Sequence, residues 1–344
     1  MRSIEWSGGD IVVIDQTLLP SREELLTLRT TEELAEAIVA LRVRGAPALG
    51  IAGAMGVAQA ALRADGSAAA VLAAAERAGA VLRAPRPTAV NLGWAIDRVL
   101  ARARAASALA SARELTDLMI EEALLIQAED EHACLSMAKH AIEFFAPGAT
   151  VVTHCNTGFL CTGGYGTALG AIRYAHESGL GVRVLATETR PLLQGARLTV
   201  WELGKLGIPH SLVVDGAAPG LIARGEASLV IVGADRIAAN GDVANKVGTY
   251  PLALAANAAG IPFVVVAPTS TIDANTASGA QIEVEERVGS EVTAVRGVAI
   301  APDGTIARNP AFDVTPNALV TAIVTEEGIA RRPFRQALAR FKRA

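Results

Sequence analysis

A thiol and a carboxylate, each placed just after a short β-branched run, are the groups in this chain best suited to chemistry. Cys155 lies in Thr153-His154-Cys155-Asn156-Thr157-Gly158, after the run 149–152. Asp235 lies in Gly233-Ala234-Asp235-Arg236-Ile237-Ala238-Ala239-Asn240-Gly241-Asp242, after the run 228–232. Residues that follow the strands of a parallel sheet gather at its carboxyl edge, where ligands bind. A thiol and a carboxyl meeting there form a general acid–base pair. With arginines nearby and no metal-ligand spacing, the pair points to proton shuttling on a small anionic substrate.

Each candidate has a structural alternative. A lone cysteine is usually a small buried hydrophobe. Cys155, however, stands between His154 and Asn156 and ahead of a glycine-rich helix start, where a helix N-terminus favours thiolate; it is read as catalytic. Cys134 and Cys161 keep the structural reading. So does His154, whose side chain points away from that of its strand-end neighbour. Asp235 could simply cap a turn. Yet the same loop spends Asn240, Asp242, Asn245 and Lys246, with Asn245-Lys246 expected to open a helix. An aspartate desolvated in such a loop would have a raised pKa and could donate a proton.

Arg44-Gly45-Ala46 and Arg86 each bring an arginine to a helix entry, a common way of gripping phosphate. Gln194 and Arg197 share a helix face, three residues apart. Asp313 fits a turn or a ligand contact equally well. The glycines from Gly158 to Gly170 resemble a loosened dinucleotide fingerprint, but residues 154–163 separate them from the preceding strand. A phosphate approached at a helix N-terminus suits them better.

The elements that must position these residues fall into two regions. With 344 residues the chain exceeds what one core usually serves. Helices are predicted from Glu32 to Arg44, with Thr31 as cap, and at 47–63, 68–82, 91–107 and 112–145. Beyond residue 148, apolar runs at 150–153, 183–186, 211–214, 229–232 and 263–267 alternate with helical stretches at 164–178, 191–206, 219–223 and 245–259. Continuous rather than alternating apolar runs indicate strands buried on both faces. Strand–helix alternation indicates a parallel sheet. The expected fold is α/β: a Rossmann-like, doubly wound parallel sheet in a C-terminal domain (131–344) and a smaller, mainly helical N-terminal domain (1–130).

Half the residues are hydrophobic but only 4% are aromatic, so alanine, leucine and valine must fill the cores. The net charge of −4 argues against a dedicated nucleic-acid binder. The basic stretch 331–343, with Phe334, Leu338 and Phe341 at helical spacing, reads as a docked amphipathic helix. Three cysteines form no disulfide framework. No secretory leader and no membrane span are expected, and a reducing cytoplasm fits.

Several longer strings resemble the methylthioribose-1-phosphate isomerase family, which shares a superfamily with the regulatory subunits of translation initiation factor 2B. They are Arg44-Gly-Ala-Pro-Ala-Leu-Gly50, Arg86-Pro-Thr-Ala-Val-Asn91, the Cys155 and Asp235 islands, Gly164-Tyr-Gly-Thr-Ala-Leu-Gly170, Glu188-Thr-Arg-Pro191, Gln194-Gly-Ala-Arg-Leu-Thr199, Asn245-Lys-Val-Gly-Thr-Tyr250 and Asn309-Pro-Ala-Phe-Asp-Val-Thr-Pro316. The resemblance implies an aldose–ketose isomerase of methionine salvage acting on a phosphosugar as a homodimer, with no metal and no cofactor. By matching motif, Asp235 would be the proton donor and Cys155 the transition-state-stabilising or base residue. Arg44, Gly45, Ala46, Arg86, Gln194, Asn245 and Lys246 would contact substrate. Two departures stand out: Thr187, where an acid usually precedes Glu-Thr-Arg-Pro, and the bulky Phe159-Leu160-Cys161. Alternatives of other kinds are an isomerase of 5-deoxyribose 1-phosphate or ribose 1,5-bisphosphate, and a non-catalytic nucleotide-sensing subunit.

Overall fold

A computed structural model describes residues 2–85 and 90–341. The chain divides into two compact units, Met1–His132 with Phe159–Gly166, and Ala133–Gly158 with Thr167–Ala344.

The first unit opens with an antiparallel sheet, β1 (Ile4–Ser7), β2 (Asp10–Ile14) and β3 (Leu25–Leu28). These strands are absent from the helical expectation for this region. The overlooked signal is Gly8-Gly9, a two-residue hairpin turn with positive φ at both positions. Four helices follow: α1 (Thr31–Val39), α2 (Ala46–Leu62), α3 (Ala68–Arg83) and α4 (Val90–Ala106). Thr30, not Thr31, caps α1. Its Oγ1 accepts the Glu33 amide at 3.1 Å while the Glu33 carboxylate accepts the Thr30 amide at 3.2 Å, a reciprocal pairing that needs the acid three residues on. Helix α2 is apolar all round and buried on nearly every side, as befits the centre of a helical layer. Its glycines permit close approach: a Cβ at Gly53 would lie 2.6 Å from Leu92 Cδ1.

Helix α5 (Ala112–Ala141) runs unbroken across the division between the units, which falls after His132. A sequence boundary drawn near that point could not foresee that residues 159–166 segregate with the first unit. Phe159–Cys161 form a buried 3₁₀ turn there.

The second unit is built on β4 (Thr150–Thr153), β5 (Arg183–Thr187), β6 (His210–Val213), β7 (Leu229–Val232) and β10 (Phe263–Val266). Helices α6 (Ala168–Glu177), α7 (Val200–Lys205), α8 (Ala218–Ala223) and α9 (Thr249–Ala259) alternate with them. The fold is mixed α/β, with a seven-stranded sheet in the order β16-β15-β10-β7-β4-β5-β6. The six strands from β15 to β6 are parallel; β15 (Ala322–Thr325) is followed by the antiparallel edge strand β16 (Gly328–Ala330). Strands β7 and β10 are buried at every residue, which is why they read as continuous apolar runs.

A second sheet of four short strands joins β8 (Arg236–Ala238), β9 (Val243–Lys246), β11 (Ile272–Asp273) and β14 (Phe312–Thr315) in the order β11-β8-β9-β14. Asn245 and Lys246 therefore end a strand rather than open a helix. Gly248, at φ 107°, turns the chain so that α9 starts only at Thr249. A small hairpin, β12 (Ala294–Val295) and β13 (Val298–Ala299), follows the short α10 (Ser290–Thr293). The expected terminal helix is the brief α11 (Phe334–Leu338), docked through buried Phe334 and Leu338. Among the described residues no helix is long and apolar enough to cross a membrane.

Candidate active site

Strands β4 and β7 are parallel neighbours, with Val152 opposite Val230. Cys155 follows the end of β4 and Asp235 follows the end of β7, so both emerge at the same carboxyl edge. The two loops touch: a Cβ built on Gly233 would lie 2.8 Å from Thr157 Cγ2. Cys155 is partly exposed, whereas Cys134 and Cys161 are buried. Its backbone is in the left-handed region, at φ 63°. Two hydroxyls pin that conformation. Its amide donates to Thr189 Oγ1 at 2.9 Å, and its carbonyl accepts from Thr199 Oγ1 at 2.5 Å. Thr199 arrives there through a π-helical stretch, Gly195–Thr199, of the kind that often marks functional segments.

Asp235 is held by its backbone, its amide donating to the Ala244 carbonyl at 3.0 Å. Its side chain is exposed, so the burial expected from the sequence does not act on it. Beside it, buried Asn245 donates to Thr249 Oγ1 at 3.0 Å. Lys246 donates to the Ala311 carbonyl at 2.9 Å and lies 4.8 Å from the centre of the Phe312 ring. Asp313 is a helix cap: its carboxylate accepts the amides of Gly248 at 2.7 Å and Tyr250 at 3.1 Å.

Gln194 follows β5 and immediately precedes the π-helical stretch. That stretch packs so closely on the strand end that a Cβ at Gly195 would sit 1.7 Å from the Thr187 carbonyl. The Gln194 Oε1 atom is buried and has no hydrogen-bond partner among the described residues. Arg44, Gly45 and Ala46 belong to the first unit, at the N-terminus of α2. Gly45, at φ 94°, admits no side chain, since a Cβ would lie 2.3 Å from Cys161 Cβ. Arg86 lies outside the described residues. Cys155, Asp235, Gln194, Asn245 and Lys246 are thus gathered on the second unit, and Arg44 to Ala46 lie on the first.

Sequence reasoning missed the polar frame around Cys155. His154 is fully buried, with Nε2 2.8 Å from the Val247 carbonyl and Nδ1 2.6 Å from Thr187 Oγ1. Burial holds its pKa below the ordinary value. Thr187 therefore meets the ring with a neutral hydroxyl where the resemblance leads one to expect an acid. Buried Asn156 donates to Glu202 at 2.7 Å, and a Cβ at Gly158 would collide with that carboxylate at 1.9 Å. The repeated threonines at 187, 189 and 199 were the available signal. Among the described residues, no three His, Cys, Asp or Glu side chains are grouped to hold a metal ion.

An α/β unit with a thiol and a carboxyl at adjacent strand ends defines the class, and the comparisons define the family. The Initiation factor 2 subunit family matches residues 42–332. A protein of Syntrophotalea carbinolica named methylthioribose-1-phosphate isomerase is 51% identical over 341 residues, covering 98% of each chain. The crystal structure of 5-methylthioribose 1-phosphate isomerase from Pyrococcus horikoshii OT3 superposes with a TM-score of 0.93 at 41% identity, covering 98% of this chain and 94% of that one. A structure described as translation initiation factor eIF-2B, subunit delta, from A. fulgidus gives 0.90 at 40% identity, covering 99% and 100%. The chain belongs to the Initiation factor 2 subunit family and, within it, to the methylthioribose-1-phosphate isomerases.

Proposed function

We propose that this chain is an aldose–ketose isomerase that converts 5-methylthioribose 1-phosphate to 5-methylthioribulose 1-phosphate in methionine salvage. The observation that carries the reading is the placement of Cys155 and Asp235 at the ends of adjacent parallel strands with touching loops. The names of the bacterial and archaeal relatives supply the substrate.

The chemistry follows from one obstacle. A phosphate on C1 prevents the sugar from opening to a free aldehyde. Asp235 is the general acid of this reading: desolvated under the bound sugar, its carboxyl passes a proton to the ring oxygen as the C1–O bond breaks. The C2 hydrogen then moves to C1, and the C2 hydroxyl loses its proton to become the ketone, which balances the proton delivered to the ring oxygen. Cys155 serves the transfer either by taking the C2 proton and returning it through an enol, or by shielding a hydride that shifts within the substrate. Aldose and ketose are at the same oxidation level, so no external oxidant is required. By matching motif, Arg44, Gly45, Ala46, Arg86, Gln194, Asn245 and Lys246 are the positions assigned to substrate contact.

The same reading takes the large sheet as a Rossmann-like, doubly wound core of a catalytic domain spanning 131–344, joined to a smaller, mainly helical domain spanning 1–130. The active form is a homodimer in the cytoplasm. The likeness to a structure described as an initiation-factor subunit favours one rival, a nucleotide-sensing regulator without turnover. Incubation with 5-methylthioribose 1-phosphate, 5-deoxyribose 1-phosphate and ribose 1,5-bisphosphate, read as ketose formation, separates the substrates. No ketose from any of them, together with calorimetric binding of a nucleotide, would establish the regulator instead.

A further inference from the structure

The polar frame behind Cys155 has a direction. The Val247 carbonyl can only accept, so Nε2 of His154 carries the ring proton. The neutral ring then presents a bare Nδ1, which must accept from the Thr187 hydroxyl at 2.6 Å. That contact takes the single proton of Thr187 Oγ1; the Thr153 carbonyl, at 3.4 Å, is a poorer acceptor. Thr189 Oγ1 shares its own proton between Thr187 Oγ1 and the Thr187 carbonyl, each at 3.3 Å, and accepts the Cys155 amide at 2.9 Å. A one-way chain therefore runs from Cys155 N–H through Thr189, Thr187 and His154 to Val247, the residue after Lys246. It ties together three segments, those after β4, β5 and β9. Both Cys155 and Thr189 are left-handed in backbone, a conformation that persists only where the surroundings impose it.

We infer that Thr187 and His154 are positioning residues: their hydrogen-bond chain fixes the Cys155 backbone and so aims its thiol. The inference rests on Cys155 being the reactive thiol of the isomerase reading. Both side chains are buried, each 1% exposed. What they supply is geometry, and misplacement of a reacting group by about 1 Å costs on the order of 10²-fold in rate.

Thr187→Val keeps the shape of the side chain and removes the hydroxyl; Thr187→Ser keeps the hydroxyl. Thr187→Val is expected to lower kcat at least tenfold with KM within twofold of the parent, and Thr187→Ser to recover kcat to within threefold. A second readout is independent of the substrate: the rate at which iodoacetamide alkylates Cys155, followed by mass spectrometry, with buried Cys134 and Cys161 as internal controls. That rate should change at least threefold in Thr187→Val and stay near the parent in Thr187→Ser. If the parent forms no ketose, the isomerase reading fails, and the alkylation comparison still decides the chain. If Thr187→Val does not fold, Thr189→Ala against Thr189→Ser makes the same comparison one link closer to Cys155. Parent-like alkylation and kcat in the variant lacking the hydroxyl, or equal losses in the valine and serine variants at 187, would overturn the inference.

Discussion

Cys155 donates its amide to Oγ1 of Thr189 at 2.9 Å, and both residues sit at φ 63°. A left-handed backbone costs a residue with a side chain about 1–2 kcal/mol, and two such residues bonded to each other are held by the fold rather than by preference. The thiol is thus aimed by the backbone and not chosen from free rotation of a loop. Cys155→Ser preserves that backbone. It should lower kcat by roughly 10²-fold or more while leaving the melting temperature within a few degrees, as a change of one partly exposed atom does. Near-parent turnover would remove Cys155 from the chemistry.

Asp235 is anchored through its backbone amide, and its side chain is exposed. Asp235→Asn should therefore leave stability within about 0.5 kcal/mol, as is usual for exposed positions. If the carboxyl delivers the proton to the ring oxygen, turnover should fall by about 10²–10⁴-fold. Urea denaturation and steady-state kinetics on the same preparation separate the two effects. A variant that loses stability and activity together would point to a structural carboxylate.

The parallel strands were legible because their signal is local. Leu229–Val232 is an unbroken β-branched and aliphatic run, and its bounds agree with the structure. The placement of Cys155 and Asp235 at strand ends followed from such runs alone. What escaped was set by contacts between distant segments. Val243–Lys246 became a strand because β8 and β14 flank it, which no pattern within those four residues could reveal. The His154 ring acquires meaning only from Thr187 and Val247, 33 and 93 residues away. The exposure of Asp235 likewise depends on how its loop lies over β9. Polar residues around a site are arranged by tertiary structure, and their spacing in the chain carries little trace of it.

Gln194 keeps a buried Oε1 with no partner among the described residues. An unsatisfied buried acceptor costs roughly 1–3 kcal/mol. Gln194→Met removes that cost at similar volume. It is expected to hold or raise the unfolding free energy by about 1 kcal/mol while weakening substrate binding, seen as a KM raised about tenfold. Unchanged KM would show that the amide does not face the phosphosugar.

Burial pushes the Asp313 carboxyl up to about 6, against the downward pull of the Gly248, Thr249 and Tyr250 amides and the Lys246 ammonium. In the unfolded chain an aspartate titrates at about 3.9. Between those values the folded chain keeps a proton that the unfolded chain has released. The stability owed to this group is therefore greatest at low pH, falls as pH rises through the window, and levels off above about 6. The separation between the folded and unfolded values corresponds to a span of about 3 kcal/mol. Urea denaturation of the parent and Asp313→Asn from pH 4 to 7 should show the parent losing ground to the variant by up to that amount. A constant difference would mean that the carboxylate stays ionised at the head of α9 throughout.

Gly45 begins α2 at φ 94°, and a Cβ there would lie 2.3 Å from Cys161 Cβ, 2.7 Å from its Cα and 2.8 Å from its carbonyl oxygen. Two of these obstacles are backbone, so no change of rotamer relieves them. Gly148 provides the control, with φ 74° and nothing within 4 Å of a Cβ. Gly148→Ala should lose about 1 kcal/mol, the cost of the backbone conformation alone. Gly45→Ala adds the overlap, which overpacking data put at another 1–3 kcal/mol, and the loss should reach about 2–4 kcal/mol. Because the shift displaces Arg44 and Ala46 against the 159–161 turn, KM should rise in the surviving folded fraction. Equal losses in the two variants would show that the turn gives way freely, and that the glycine answers to φ and not to Cys161.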